Sequence, residues 1–384
     1  MSHQLHGRAA VACLLALNLA GCGGRVDLGG ASRTAPDESG IGAGGASSLE
    51  PPVESEEIFR VDGLSYGSLA VSDSDLILSG FEDSDGSVVY GCDKAHCDRG
   101  LQRLPQTIPF SSLQVYGDRL AGARGQPLQD LRSFGTYELP RLADEKIVIH
   151  DLPGPTRPRF HGGFVYWTLP IEEGVYRCAL PDCPEGPERL GRGRGDVVIA
   201  GEYAFWTAGL TAVYRAHLPG PESPEALLLD DTLGSVGSIS SASAEGRQLL
   251  AGSESHLYAA SLEQPAAMGD SAPSRIFRWP AGGGPRELVV EAEEEIDGIF
   301  AFGDELVWTT RHGTGGRLFS CVASSCDETT RPLGLVGFQS RAVAADETHL
   351  YWLAAVPDPS PQHAGEIVAR TRAVRRVALI DPGD

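Results

Sequence analysis

The sequence predicts an all-β protein, a closed ring of repeated four-stranded antiparallel units or β-propeller, and three observations predict it. From Ile58 onward, short β-patterned runs alternate with Gly, Pro and Asp turns, and no helical periodicity persists. One strand recurs along the chain, centred on Ile77, Ala121, Tyr166, Phe205, Leu250, Val307 and Tyr351, at steps of 44, 45, 39, 45, 57 and 44 residues. Further strand-like pieces surround each centre, and four antiparallel strands about every 40–50 residues is the period of a propeller blade. Seven units give seven blades. The first two are weakly patterned, above all over Gln126 to Leu139, so six or eight blades are the alternatives.

The last unit displays the pieces in order. Arg341-Ala342-Val343-Ala344 leads into a turn at Asp346-Glu347, and the aromatic strand His349-Leu350-Tyr351-Trp352 follows. Glu366 to Arg370 reads as the third strand and Val374 to Ile380 as the outer one. Ile58-Phe59-Arg60-Val61 resembles the outer strands Leu227-Leu228-Leu229 and Leu288-Val289-Val290. It is expected to pair into the last blade and remove an exposed edge. The long step is assigned to an insertion, Glu263 to Ser274.

Successive side chains of a strand point to opposite faces. Tyr166 and Trp167, Phe205 and Trp206, and Tyr351 and Trp352 are therefore expected to face different neighbouring blades, with Trp308 at the phase of the other tryptophans. Packing between blades is favoured over a ligand-stacking ring, because aromatic side chains dominate sheet–sheet cores.

A chain of 384 residues with 41% hydrophobic content is ample for a buried core. Its formal net charge is -21 and no Lys/Arg run stands out, which argues against a nucleic-acid partner. At the start, Ala9 to Ala20 is apolar except for Asn18. That suits a secretory leader and is shorter than the roughly 17–25 residues of a membrane span. It ends in Leu19-Ala20-Gly21-Cys22, which resembles the lipobox of bacterial lipoproteins. The resemblance implies that residues 1–21 are a lipoprotein signal peptide and that Cys22 takes the diacylglycerol, making the membrane a partner through its lipid anchor. Gly23 follows with no Asp to suggest inner-membrane retention, so by analogy the address is the outer membrane. Residues 22–57 are rich in Gly, Ser, Ala, Pro and acids, a composition that cannot offset its ordering entropy. They read as a flexible tether, and residues 58–384 as the propeller.

Six of the eight cysteines form three pairs of one spacing, Cys92/Cys97, Cys178/Cys183 and Cys321/Cys326, each where a third strand turns into a fourth. In an exported chain they read as disulfides. Metal binding is the rival, with His96 a lone additional ligand, but zinc wants four converging donors and these pairs belong to different blades. No metal and no cofactor are expected.

Other motifs lose to plainer readings. Gly63-Leu64-Ser65-Tyr66-Gly67 matches a hydrolase elbow, yet Ser68 to Val71 continues as a strand where that elbow needs a helix. Asp83-Ser84-Asp85-Gly86 lacks the twelfth-position acid of a calcium loop, having Lys94 there. Arg194-Gly195-Asp196 spells an adhesion tripeptide without supporting context. His256 and His349 stand at equivalent places before Leu-Tyr, which marks a repeat position. His150, Asp151 and His161 have no visible nucleophile partner.

Residues 165–183, Val-Tyr-Trp-Thr followed by Gly-Val-Tyr-Arg-Cys-x-Leu-x-x-Cys, resemble the repeat of a group of envelope β-propellers from myxobacteria. In that group a lipobox leader and a low-complexity tether often precede the ring. The resemblance covers the leader and most of residues 158–372, fades over 63–150, and implies a fold and a place without any catalytic residue. The favoured reading is therefore a lipid-anchored binding or scaffold module for a protein, peptide or glycan. The alternative is a propeller enzyme of lyase or glycoside hydrolase type at the central funnel. It would draw on the loop acids Asp151, Glu172, Glu173, Asp196 and Glu202.

Overall fold

Tight turns lay out the strands. Gly201 and Gly303 take φ of 54° and 58° in two of the first-to-second-strand turns, a left-handed conformation that costs glycine no side-chain clash. In the computed structural model, the described residues are 53–62, 64–82, 86–104, 110–124, 131–139, 143–153, 158–169, 172–193, 195–208, 212–218, 225–229, 249–262, 274–312, 315–337, 342–355 and 372–380.

After β1 (Glu56–Val61), four strands make blade 1: β2 (Leu64–Val71), β3 (Asp75–Glu82), β4 (Gly86–Asp93) and β5 (Gln102–Arg103). Blade 2 is β6 (Phe110–Tyr116), β7 (Arg119–Arg124), β8 (Leu131–Glu138) and β9 (Ala143–Pro153). Blade 3 is β10 (Arg159–His161), β11 (Phe164–Leu169), β12 (Gly174–Ala179) and β13 (Glu188–Arg192). Blade 4 is β14 (Val198–Ala200), β15 (Tyr203–Ala208), β16 (Ala212–His217) and β17 (Glu225–Leu229). Blade 5 is β18 (Leu250–Gly252), β19 (His256–Leu262), β20 (Ser274–Pro280) and β21 (Glu287–Ala292). Blade 6 is β22 (Ile296–Phe302), β23 (Glu305–His312), β24 (Gly315–Val322) and β25 (Arg331–Gly337). Blade 7 is β26 (Val343–Ala345), β27 (His349–Ala355) and β28 (Arg372–Ala378), completed by β1.

All these pairings are antiparallel, and the fold is an all-β propeller of seven four-stranded blades. A backbone bond repeats the count. In every blade, the residue just past the third strand returns its N–H to a carbonyl in the first turn. The pairs are Lys94 to Ser74, Leu139 to Asp118, Leu180 to Gly163, Leu218 to Glu202, Ala281 to Ser255, Ala323 to Asp304 and Leu379 to Thr348, all between 2.7 and 3.0 Å.

Two assignments from the sequence need correction. Leu250 lies on the first strand of blade 5, and the second-strand position belongs to Tyr258, which pairs with Arg278 as Tyr351 pairs with Arg376. The aliphatic run Gln248 to Ala251 imitates a second strand, while the true one starts after the Ser253–Ser255 turn. Val374 to Ile380 also falls differently: β28 is the third strand of its blade, and β1 supplies the outer one, from Glu56 opposite Arg376 to Val61 opposite Arg372. Residues 366–370, read as a third strand, lie outside the described residues, as do Cys22 and the tether up to residue 52.

Each blade buries one face against each neighbour. Tyr166 packs with Val175, Val197 and Trp206 between blades 3 and 4, while Trp167 packs with Ala121, Phe134 and Val148 between blades 2 and 3. Phe205 joins Leu250, Leu257 and Trp279 toward blade 5. Trp308 meets Leu249, Tyr258 and Ile276 across the seam with blade 5. Tyr351 faces blade 1 beside Leu64 and Leu78, and Trp352 faces blade 6 beside Val307 and Leu318. The Trp206 indole also donates to the Arg192 carbonyl of blade 3 at 2.8 Å.

Arginines stitch the rim. Arg215 and Arg278 sit on third strands opposite Phe205 and Tyr258. They donate to the Ala281 and Ala323 carbonyls of the next blade at 3.1 and 2.8 Å. Arg331 makes the corresponding link from blade 6 to the Ala378 carbonyl at 2.9 Å, held by Glu305 at 2.9 Å. Arg177 and Arg215 also lie over the rings of Phe164 and Tyr203, 5.1 and 4.9 Å from their centroids.

The three cysteine pairs are disulfides, with Cα atoms 5.1, 5.3 and 5.0 Å apart for Cys92–Cys97, Cys178–Cys183 and Cys321–Cys326. Each clips the turn after a third strand. Trp206→Ala should cost about 3–5 kcal/mol, the usual range for emptying a buried aromatic site, read from urea unfolding. Replacing Cys178 and Cys183 together by Ser should cost about 2 kcal/mol, as expected for so short a loop, and leave the far-ultraviolet dichroism of the ring unchanged.

Candidate functional site

The central channel is built from the first strands β2, β6, β10, β14, β18, β22 and β26. At the position opposite the second-strand centre these carry Ala70, Gln114, Arg159, Val198, Ala251, Phe300 and Ala344. Only Gln114 and Arg159 are polar. Gln114 is used up in a seam, donating to the Phe160 carbonyl at 2.8 Å and accepting the Phe160 N–H at 3.0 Å.

Arg159 is different. Its Nε donates to the Val197 carbonyl of blade 4 at 3.3 Å. Burial draws the pKa of its guanidinium down, and the Asp196 carboxylate opposes that through space. The segment carrying Asp196 is fixed by a 2.8 Å bond from the Thr168 hydroxyl to the Gly195 carbonyl. Gly195 has no room for a side chain, since a Cβ there would strike the Thr207 hydroxyl.

A second charged group stands at the start of blade 6. Glu294 accepts the Thr310 hydroxyl and pairs with Arg317 at 3.1 Å. Arg311 reaches Asp297 at 3.2 Å and Glu295 at 3.7 Å. These three acids and two arginines form two ion-paired sets with one negative charge in excess, an arrangement that holds strands in place.

The loop acids singled out from the sequence do not converge. Glu172 accepts the Tyr176 hydroxyl at 2.9 Å, beyond the end of β11. Glu173, with φ of 51°, offers its carbonyl to Gly193 at 3.0 Å. Glu202 lies in the turn before β15, the opposite end of its blade, 3.4 Å from His217. Asp196 lies just before β14 and acts on Arg159 through space, and the side chains of His150 and Asp151 lie outside the described residues. Ser65 lies within β2, so its motif forms no strand-to-helix elbow. His256 and His349 tilt against Tyr258 and Tyr351, centroids 6.2 and 6.1 Å apart, where Phe164 and Tyr203 stand in blades 3 and 4. His96 bonds Asp93 at 3.1 Å, and among the described residues no group of three or more His, Cys, Asp and Glu could hold a metal.

The displaced carboxyl pKa values move one way. Asp93 is lowered by the His96 bond and then by the Ala95 N–H. At Asp346 burial opposes ionisation, but bonds from Lys94, Thr348 and Tyr351 outweigh it and hold the carboxyl far below the usual range. The Lys94 ammonium, on the disulfide-clipped turn of blade 1, reaches Asp346 of blade 7 at 2.6 Å. The Tyr351 hydroxyl donates to the same carboxylate at 2.9 Å, and burial followed by that bond pushes its own pKa up. This is an ion-paired latch across the ring closure.

Sequence reasoning missed the arginines, although Tyr176-Arg177, Tyr214-Arg215, Phe277-Arg278 and Arg375-Arg376 repeat an aromatic-or-basic residue before Arg in four third strands.

No protein-family model matches the chain, and no curated protein matches it in sequence. Among solved structures, the chain is similar to the acylaminoacyl peptidase of Pyrococcus horikoshii, with TM-score 0.53 and 8% identity over 77% of this chain and 50% of that one. It is also similar to one of two prolyl endopeptidases, with TM-score 0.51 and 9% identity over 85% of this chain and 51% of that one. The chain thus spans about half the length of either peptidase. The β-propeller domain of the Trilobed protease from Pyrococcus furiosus aligns over 84% of this chain and 97% of that domain, with TM-score 0.47 and 8% identity. Likeness at such identity speaks to the fold alone.

The latch has a pH signature. A carboxyl whose folded pKa is depressed contributes stability above its unfolded value near 3.9 and loses it as pH falls through the folded one. Wild-type protein should therefore lose urea resistance as pH falls from about 5 toward 2, and Asp346→Asn, weaker at pH 7, should lose measurably less over the same interval.

Proposed function

We propose that the chain is a lipid-anchored cell-envelope propeller that binds a protein, peptide or glycan partner on the disk, with no chemistry of its own. The observation that carries this reading is the placement of its acids. Glu172 and Glu173 stand at the opposite end of their blade from the place Glu202 takes in the next. The displaced carboxyls, Asp93 and Asp346, are pushed toward ionisation, whereas a general acid needs a raised pKa. A rigid ring with turns of variable sequence at both ends suits recognition.

Three disulfides suit an oxidising compartment such as the envelope. No helix among the described residues is long and apolar enough to cross a membrane, and in this reading attachment rests on acylation of Cys22.

Cys22→Ser should abolish palmitate incorporation in a Gram-negative host and move the protein from the membrane to the soluble fraction; undiminished labelling would refute the anchor. Purified protein titrated on peptide and glycan arrays should bind one ligand class saturably and release it unaltered. Ligand recovered cleaved would overturn the binding reading and leave the anchor untouched.

A further inference from the structure

We propose that Arg159, positioned by the segment Gly195–Val197, forms an oxyanion site at the wall of the central channel, taking a single carboxylate or phosphate group. The proposal stands whether or not the disk is tethered to a membrane, because it rests on the ring alone.

Three observations carry it. First, Arg159 occupies a position that is Ala, Val or Phe in five blades and the fully engaged Gln114 in the sixth. A charge at this place serves no repeat-wide packing role. Second, the guanidinium is only partly used. Its Nε bonds the Val197 carbonyl, and among the described residues its two terminal nitrogens have no protein partner and are not sealed from solvent. The other arginines of the seams, Arg177, Arg215, Arg278 and Arg331, each bond a carboxylate or a neighbouring carbonyl. Third, Asp196 acts on Arg159 through space without forming an ion pair with it. A partly buried cation without a paired counter-charge is costly, and a bound anion removes that cost.

The fork of terminal N–H groups matches the two oxygens of a carboxylate or the edge of a phosphate. Its orientation is fixed by the Nε bond to Val197, and Val197 is fixed in turn by the Thr168 bond to Gly195. Asp196 sets the selectivity. Its negative charge repels a dianion more than a monoanion, so the site favours a carboxylate over divalent phosphate.

The full-length protein in detergent, titrated at constant ionic strength with acetate and separately with inorganic phosphate, tests this by thermal unfolding and calorimetry. Wild type should show a saturable rise in melting temperature with acetate, and a smaller one with phosphate at pH 8 than at pH 6. Arg159→Gln should weaken acetate binding at least tenfold, and Arg159→Lys should retain part of it. Asp196→Asn should bind both anions several-fold more tightly and narrow the gap between them. If wild type and Arg159→Gln respond alike, the anion is adventitious and the proposal fails. It fails equally if Asp196→Asn unfolds at lower temperature with no gain in anion affinity, since Asp196 would then be the counter-ion that Arg159 requires. The asparagine variant decides the matter even if Arg159→Gln does not fold.

Discussion

Cohesion of the ring depends on side chains reaching between blades, because the backbone ladders stop at each blade's edge. Among the described strands the one exception is the pairing of Val336 with Ala354 between blades 6 and 7. Apart from the Val53 N–H, which bonds the Pro332 carbonyl of blade 6 at 3.0 Å, the other described contacts across the seams are apolar packing or bonds that involve a side chain or a turn. Toward the axis the seams are filled by Tyr, Trp and Phe standing on both faces of the second strands. Toward the rim neighbouring blades diverge, and a long side chain with several donors becomes more useful than an aromatic ring. That is where Arg215, Arg278 and Arg331 donate to the next blade.

The seam between blades 7 and 1 is solved with different chemistry. Its outer strand comes from the other end of the chain, and Arg376 is engaged by Glu56 of that strand at 2.7 Å. The cross-seam bond is made instead by Lys94, whose turn is held by the Cys92–Cys97 disulfide. Desolvating a lysine and an aspartate is costly. At Asp346 the cost is offset by several charge-assisted bonds from Thr348, Tyr351 and Lys94. Phe59 and Ile58 of β1 pack over the same cluster as Cys92 and Cys97, so closure strand and clipped turn support each other.

Much of this was legible in the sequence, and the failures have physical causes. The Trp-bearing strands were found because a two-residue period beside a Gly or Asp turn is a local signal. The cysteine pairs were found because one spacing recurred at one phase. Leu250 was misplaced because Leu249-Leu250-Ala251 carries the apolar pattern of a second strand, and only the turn at Ser253–Ser255 marks where that strand begins. Val374 was set one strand too far out because nothing local separates a third strand from a fourth. The distinction lies in β1, more than 300 residues away. The rim arginines escaped notice for a related reason: their acceptors are backbone carbonyls of another blade, which no sequence pattern spells. Arg159 needed two facts that only the fold supplies, namely that β10 is innermost and that its neighbours at that position are apolar.

The pairing of β1 with β28 joins residues about 320 positions apart. During synthesis, Glu56–Val61 must wait beside an unfinished ring until Arg372–Ala378 has emerged, since no earlier partner completes its hydrogen bonds. Contacts of such separation are the slowest to form, and until then blades 1 and 7 present raw apolar faces, the kind of surface that aggregates. The nascent chain is therefore best served by a holding factor, or by completion of the ring fast enough to keep that interval short.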